Sequence, residues 1–527
     1  MGLNANWLAA PIVIPLVCAA LGLLVVTRPR PQQLLVHRVL AVTATSINLL
    51  VALLLLAVTA GSGHRLVLYV GMWQAPFGVT LVGDGLSAIM LTLTGLLMVS
   101  TVWYAMGTLD EREAMNFYPL LLFLLVGVNG AFLSGDLFNL YVFFEVLLMS
   151  SFVLLSLGGR PSQVNGGTRY VVLNLLASMI FLATAGVAYG TLGTLNLAQL
   201  ADRMEMAPQS LRIVLAGMLL IAYGSKAGLF PLFFWLPASY HTPHPAVTAI
   251  FGGLLTKVGI YALFRIYPLL FPDLLAGWQP LILAIAGLTM LVGVFGAMAV
   301  DTIRRVLSFH VISQVGYMVM GLGLAVAGNE MAVGFGMAAG IFYIVHHMIV
   351  KTALLMAGGA AELAMGTGQL QPGHLGGLVK RYPMLAIVFF VAAFSLAGIP
   401  PSSGFISKLG LLQIALDARQ WTIAAVSLVV SLLTLMSMVR LWQKGFAGPL
   451  EGPLGPATTC NPGGWLTVAP IGLLVAVSLA IGIFSAPFFQ WSSVAAAQAL
   501  DRSGYIQAVN PGDGIGMVET GAISGNE

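Results

Sequence analysis

Ionisable side chains interrupt several apolar runs of this sequence. In AGIFYIVHHMIVKTALLMAGG, His347 and Lys351 are four residues apart, with Tyr343 one turn earlier. A helix puts these three on one face, with His346 turned about 100° away. Glu145 stands alone in LFNLYVFFEVLLMSSFVLL, and His310 in RRVLSFHVISQVGYM. Lys226 lies in LIAYGSKAGLFPLFFWLP, Lys257 in GGLLTKVGIYALF and Lys408 in FSLAGIPPSSGFISKLGLLQ. The chemistry these types share is proton exchange. Histidine changes charge near neutral pH, a desolvated lysine can release its proton, and a buried carboxylate ionises only with a cation beside it. Ionisable groups at membrane depth are costly and mark ion or proton paths. Each has a plainer reading as well. Glu145 could make a helix–helix hydrogen bond, Lys226 and Lys408 could snorkel to a helix end, and His346 could be a satisfied packing residue. His241 and His244, in ASYHTPHPAV, read as loop residues.

The basic residues divide by type. Four of the six lysines (Lys226, Lys257, Lys351 and Lys408) fall in apolar runs, whereas the arginines gather between them. Arginine cannot be deprotonated in a protein and lysine can. The split therefore selects groups able to titrate.

The elements that must carry these groups are membrane helices. The 527 residues are 59% hydrophobic and 8% charged, with a mean hydropathy of +0.96. A soluble domain carries about 25% charged residues. Runs of about 20 apolar residues occur near 7–27, 37–60, 85–106, 115–134, 137–158, 170–192, 211–234, 244–267, 279–300, 305–327, 333–361, 384–412, 420–441 and 466–486. That predicts an all-α polytopic protein of fourteen spans. Residues 66–82 are short and broken by Gly and Pro, and predict an external hairpin. No Lys or Arg precedes the first apolar run, which predicts a first span with its N-terminus outside and not a cleaved signal. Both termini then lie outside. Arg28, Arg30, Arg38, Arg112, Arg160, Arg169, Arg304, Arg305, Lys380, Arg381, Arg440 and Lys444 fall inside. Arg65, Arg203, Arg212, Arg265, Arg419 and Arg502 fall outside, in keeping with a positive cytoplasmic face. The polar tail after about 487 is expected to be an external flap or disordered.

Several classes are excluded. Cys18 and Cys460 are the only cysteines and offer no cluster or zinc ligand set. There is no HExxH motif and no phosphate-binding glycine loop. No cofactor or metal is expected, and the net charge of +4 needs no nucleic-acid partner.

Gly and Pro around Lys226 and before Lys408 predict broken helices in the seventh and twelfth spans. Discontinuous helices at corresponding places are the sign of inverted repeats in transporters. The expected organisation is 1–110 (three helices and the hairpin), 111–268 and 279–445 (two inverted five-helix repeats), and 446–527 (a last helix and tail).

Five segments, GDLFNLYVFFEVLL, KAGLFPLFFWLP, AVTAIFGGLLTKVGIYALFR, HHMIVKTALLMAGG and LAGIPPSSGFISKLG, together resemble the Mrp-type multisubunit cation/proton antiporters. They are also similar to the antiporter-like subunits of respiratory complex I. The resemblance spans residues 80 to 445, and the chain length suits a D-type subunit. It implies a proton path with Glu145 and Lys226 as a pair, Lys257 as a bridge, His347 and Lys351 as connectors and Lys408 as the terminal group. Tyr343 stands where some relatives carry another histidine, and His310, His346 and Tyr343 are possible supports. It also implies partners of the A, B, C, E, F and G types, Na+ and H+ as transported ions, and a bacterial cytoplasmic membrane. The alternative is a proton-pumping subunit of complex I or of a membrane-bound hydrogenase. A scaffold subunit that transports nothing would leave four costly lysines unexplained.

Overall fold

Thirteen helices of the described residues are long and apolar enough to cross a membrane, and the shorter Pro383–Ala397 adds a fourteenth apolar segment. The structure is a computed structural model that describes residues 4–25, 31–325, 330–370, 375–449 and 463–510. The loop arginines Arg28 and Arg30 and the tail beyond 510 lie outside these residues. The chain is a multi-pass membrane protein. The expected hairpin is present, with Leu66–Tyr69 pairing antiparallel to Thr80–Gly83 in the register Leu66↔Gly83.

Both expected breaks are present. The seventh span, Gln209–Ala227, stops at Gly228 (φ 77°), and the chain turns before the short helix Trp235–Ser239. The twelfth stops at Gly398 (φ 93°) and resumes as Ser403–Asp417. A left-handed residue just past a helix end suits glycine, which has no Cβ to clash. Each cap precedes a proline by three residues (Pro231, Pro401), and proline cannot donate the amide hydrogen bond a continuing helix needs.

Local arrangements recur along the chain. Gly127 and Gly130 of the fourth span, Glu111–Leu133, pack on Leu147 and Phe143 of the fifth, Leu137–Ser156. Gly293 and Gly296 of the ninth, Gln279–Met298, pack on Ser313 and Phe309 of the tenth, Ile303–Leu324, at the same offset. The isolated bridge Asp136↔Asn196 likewise has a counterpart in Thr302↔Gln369.

The eighth span, Pro245–Leu270, and the eleventh, Gly334–Met365, are wholly buried, whereas fewer than half the residues of the first, sixth, thirteenth and fourteenth are. Exposure of Leu and Val on the outer helices is what lipid solvates. The enclosed pair is held close by small residues. A Cβ on Gly253 would lie 1.9 Å from Thr352 Oγ1, so any larger residue there would force Thr352 to move.

Two expectations are corrected. Arg265, expected outside among the loop arginines, is 3% exposed. It donates to both carboxylate oxygens of Asp84 at 2.5 and 2.7 Å, and Asp84 also caps the third span, Gly85–Thr108. A guanidinium meets a carboxylate through two parallel hydrogen bonds, so the pair is neutral as a unit and tolerates burial. The segment after 487 is also packed and helical. Ser485–Leu500 and Arg502–Val509 fold back onto the bundle. Gln498 accepts from Gly85 N at 2.6 Å and donates to Gly63 O at 2.8 Å, while Tyr505 lies against the Arg265 guanidinium. Small residues and two-sided polarity hide this segment in the sequence, because its apolar face covers only part of the helix.

Removing one partner of a buried ion pair leaves an uncompensated charge. Asp84→Ala should therefore destabilise the protein by about 3–5 kcal/mol, read as a lower thermal midpoint in detergent and less protein in the membrane. Combining it with Arg265→Leu should restore most of the loss. If Asp84→Ala alone is neutral, the pair does not stabilise this end of the bundle.

Candidate proton path

Glu145 lies half-buried in the fifth span, and its Oε1 is buried without a hydrogen-bond partner. Lys226 lies one residue before the end of the seventh span and is 6% exposed. Its Nζ donates to Ser178 Oγ at 2.8 Å and stands 5.1 Å from the Phe144 ring centroid. The glutamate acts on Lys226 through space, yet the two do not form one of the six ion pairs among the described residues. The pair expected from the resemblance is open here, with Ser178 in the carboxylate's place.

Lys257 follows a widened turn. The eighth span runs as a π-helix over Phe251–Leu255, and the Lys257 ammonium reaches back to Gly252 O at 2.6 Å. An i→i+5 turn shifts carbonyls out of the regular ladder, which leaves them open to a side-chain donor. Lys226 and Lys257 belong to helices whose backbones touch. A Cβ on Gly259 would lie 2.7 Å from Ala227 N.

The eleventh span carries the densest group. His346, His347 and Lys351 are all fully buried. Neither ring nitrogen of His347 has a hydrogen-bond partner, and Lys351 Nζ has only a long contact of 3.4 Å to Leu307 O. His347 feels the charges of both Lys257 and Lys351, and Lys257 feels that of Lys351. His346 does point elsewhere, as the helix period requires. Its Nδ1 meets Ser403 Oγ at 2.8 Å, and Ser403 meets Ser478 Oγ at 2.8 Å. His310 meets Ser437 Oγ at 2.8 Å through Nε2 and leaves Nδ1 unpaired. Tyr343 donates to Gln314 Oε1 and stacks on Tyr317 at 5.1 Å between centroids.

Lys408 stands on the second half of the broken twelfth helix. Its Nζ donates to Ala397 O at 3.0 Å and Ser431 Oγ at 3.1 Å, and lies 5.4 Å from the Tyr317 ring centroid. Ala397 is the last residue of the first half, so a carbonyl freed by the break becomes the lysine's acceptor. His310 and His346 each feel Lys408 and Lys351. The structure thus brings Lys257, His347, Lys351, His310, His346 and Lys408 into one linked set, with Glu145 and Lys226 at its other end. Those two connect through helix contact, with no direct polar link to Lys257 among the described residues. His241 and His244 stay apart. His244 caps Pro245–Ile250, accepting from Ala246 N at 3.2 Å, as a loop residue would.

Several participants were not anticipated. Ser178, Ser403, Ser431 and Ser437 supply most of the side-chain partners, and Gln314 holds Tyr343. The usable signal was a serine or glutamine deep in an apolar span. It is weak, since a hydroxyl in a helix also satisfies itself on a carbonyl one turn back. Several buried polar atoms of this core have no hydrogen-bond partner among the described residues: both nitrogens of His347, His346 Nε2, His310 Nδ1, Ser313 Oγ and Gln314 Nε2. Native interiors keep such groups few, and ordered water would satisfy them here.

The matched family model is described as "NADH:quinone oxidoreductase/Mrp antiporter, TM" and covers residues 134–434. The chain is 43% identical to the D-type Na(+)/H(+) antiporter subunit of Alkalihalophilus pseudofirmus, over 96% of this chain and 99% of the relative. It superposes on a chain of the Mrp complex from Dietzia sp. with a TM-score of 0.86 and 34% identity, covering 96% of this chain and 99% of the other. A chain of respiratory complex I from Thermus thermophilus has the same fold, with a TM-score of 0.76 at 24% identity over 94% and 99%.

Proposed function

The chain belongs to the NADH:quinone oxidoreductase/Mrp antiporter transmembrane family, and on that premise we propose that it is the proton-translocating, D-type subunit of a multisubunit Na+/H+ antiporter. It is a transporter subunit and not an enzyme. The observation that carries this reading is the series of titratable groups from Glu145 to Lys408 held inside the bundle, with the helices broken or widened beside Lys226, Lys257 and Lys408. The relative of known subunit type supports it, as does the Mrp-complex neighbour. The complex I reading rests on shared fold at lower identity.

In this mechanism the proton moves laterally. Glu145 and Lys226 approach and separate. When they meet, each stabilises the other's charge; when they part, Ser178 takes up the amine and burial favours its neutral form. Lys257, the His347/Lys351 face and Lys408 then pass the proton on, with His310, His346 and Tyr343 shaping the surroundings. The recurring glycine contacts, bridges and helix breaks support two repeats of five helices, and the odd count makes the second upside-down relative to the first. The basic residues support termini outside, in a bacterial cytoplasmic membrane. Sister subunits of the A, B, C, E, F and G types complete the antiporter.

The test is a pH-gradient assay in everted vesicles with and without the sister genes, varying the cation. Na+-dependent proton movement should require both this chain and its sisters. Robust exchange by the purified chain alone in liposomes would contradict the multisubunit reading. Proton movement driven by quinone reduction and indifferent to Na+ would favour the complex I reading.

A further inference from the structure

Six arginines of the described residues pair with carboxylates. Arg169 and Arg305 make no hydrogen bond or ion pair among the described residues, and both are exposed. They line one polar cavity of about 370 Å³ together with Asn165, His241, Thr242 and Phe234. Three parts of the fold meet there: the start of the sixth span, Pro161–Leu192, the start of the tenth, and the chain just after the break in the seventh. Glu362, the carboxylate that acts on His241 through space, pairs with the neighbouring Arg304 at 2.7 Å. No acidic side chain lines the cavity.

His241 adds polarity without charge. Its Nδ1 donates to Pro237 O at 3.0 Å. Burial, then Arg305 and Arg304, push it down to about 4, so the imidazole is neutral at neutral pH. The site is a concavity with two free guanidiniums and amide and hydroxyl donors, which suits a phosphate oxyanion.

What lies above the arginines decides the source of that phosphate. From Arg169 the sixth span continues as an exposed apolar face, with Val172, Leu176 and Met179 each more than half exposed. Phe234, 64% exposed, rims the same corner. A charged mouth opening onto an exposed apolar stripe of a membrane span matches a molecule with an anionic head and acyl chains. A soluble anion would gain nothing from the stripe, and an acidic protein segment would meet apolar helix where it needs polar contacts.

We propose that Arg169 and Arg305 bind the phosphodiester of an anionic glycerophospholipid, whose acyl chains lie along the sixth span. Phe234, Pro237 and Thr242 of the cavity wall follow the seventh-span break directly, so an occupying lipid ties that stretch to the sixth and tenth spans. No residue of the proposed proton path lines the site, and it does not depend on which cation is exchanged.

The intact multisubunit complex carrying this chain, extracted in detergent, would be incubated with phosphatidylglycerol, with phosphatidylcholine or with inorganic phosphate. Bound lipid is counted by native mass spectrometry, and exchange is measured after reconstitution in each lipid. One arginine near an anionic headgroup is worth about fivefold in affinity, so Arg169→Gln with Arg305→Gln should weaken phosphatidylglycerol retention about thirtyfold. Arg112→Gln, an exposed arginine away from the cavity, should leave retention unchanged. Exchange by the parent complex should rise with phosphatidylglycerol content, and the double variant should lose that dependence. Equal lipid retention by parent and double variant would overturn the proposal. Competition by inorganic phosphate as strong as that by the lipid would overturn the lipid assignment. Loss of a sister subunit from the double variant would overturn it too, by making the corner a protein interface.

Discussion

Lys351→Arg and Lys408→Arg chains should reach the membrane, assemble with their partners and carry out no Na+-dependent proton exchange. The substitution keeps the positive charge and removes the capacity to release a proton, because a guanidinium stays protonated throughout the working range. A relay of lysines works through repulsion. Two like charges ~4 Å apart repel by about 4 kcal/mol at an effective dielectric of about 20, enough to move a pKa by more than about two units. An arriving proton can therefore push its neighbour's proton onward. Lys408 is the more forgiving site, because its ammonium already has two oxygen acceptors and lies partly buried. Lys351 is fully enclosed and almost unpartnered. Its variant needs a check on assembly, such as co-purification of the sister subunits. Normal exchange with arginine at either position would make that residue a fixed structural charge and send the relay elsewhere.

Glu145→Ala should abolish exchange while leaving the protein in the membrane, and Glu145→Gln should do the same. The second variant separates the two readings of this residue. If Glu145 only makes a helix–helix hydrogen bond, glutamine retains that bond and exchange survives. If its charge stabilises protonated Lys226, glutamine fails, since an amide cannot provide the countercharge. Folding should tolerate both changes, because Glu145 is half-buried and the carboxylate forms no ion pair among the described residues. Near-normal exchange in the glutamine variant, read by quenching of a pH-sensitive dye in everted vesicles, would remove the Glu145 charge from the mechanism.

The site was legible in the sequence to the extent that it depends on cost. A lysine, histidine or glutamate in an apolar run is expensive. Glu145, Lys226, Lys257, His347, Lys351 and Lys408 are conspicuous for that reason alone. The serines that hold them are cheap in a helix, so Ser178, Ser403 and Ser437 were invisible until the helices were packed together. Arg265 misled for a related reason. Near a predicted helix end it looked like a loop arginine, and only the meeting with Asp84, far away in sequence, allowed its burial.

The amino-acid order by itself determined the spans, the hairpin and both helix breaks, because each follows from local requirements. Backbone groups in lipid must be satisfied within a helix, proline cannot continue one, and Gly228 and Gly398 tolerate the left-handed turn that ends one. Tertiary structure decided which charges face each other. The close approach at Gly253 sets the eighth span against the eleventh and so lets the charge of Lys351 act on Lys257. The open state of Glu145 and Lys226, the packing of Ser485–Leu500 across the bundle and the unpaired corner at Arg169 and Arg305 are likewise products of helix packing. Coulomb and hydrogen-bond energies depend on distance through space, and separation along the chain does not encode it.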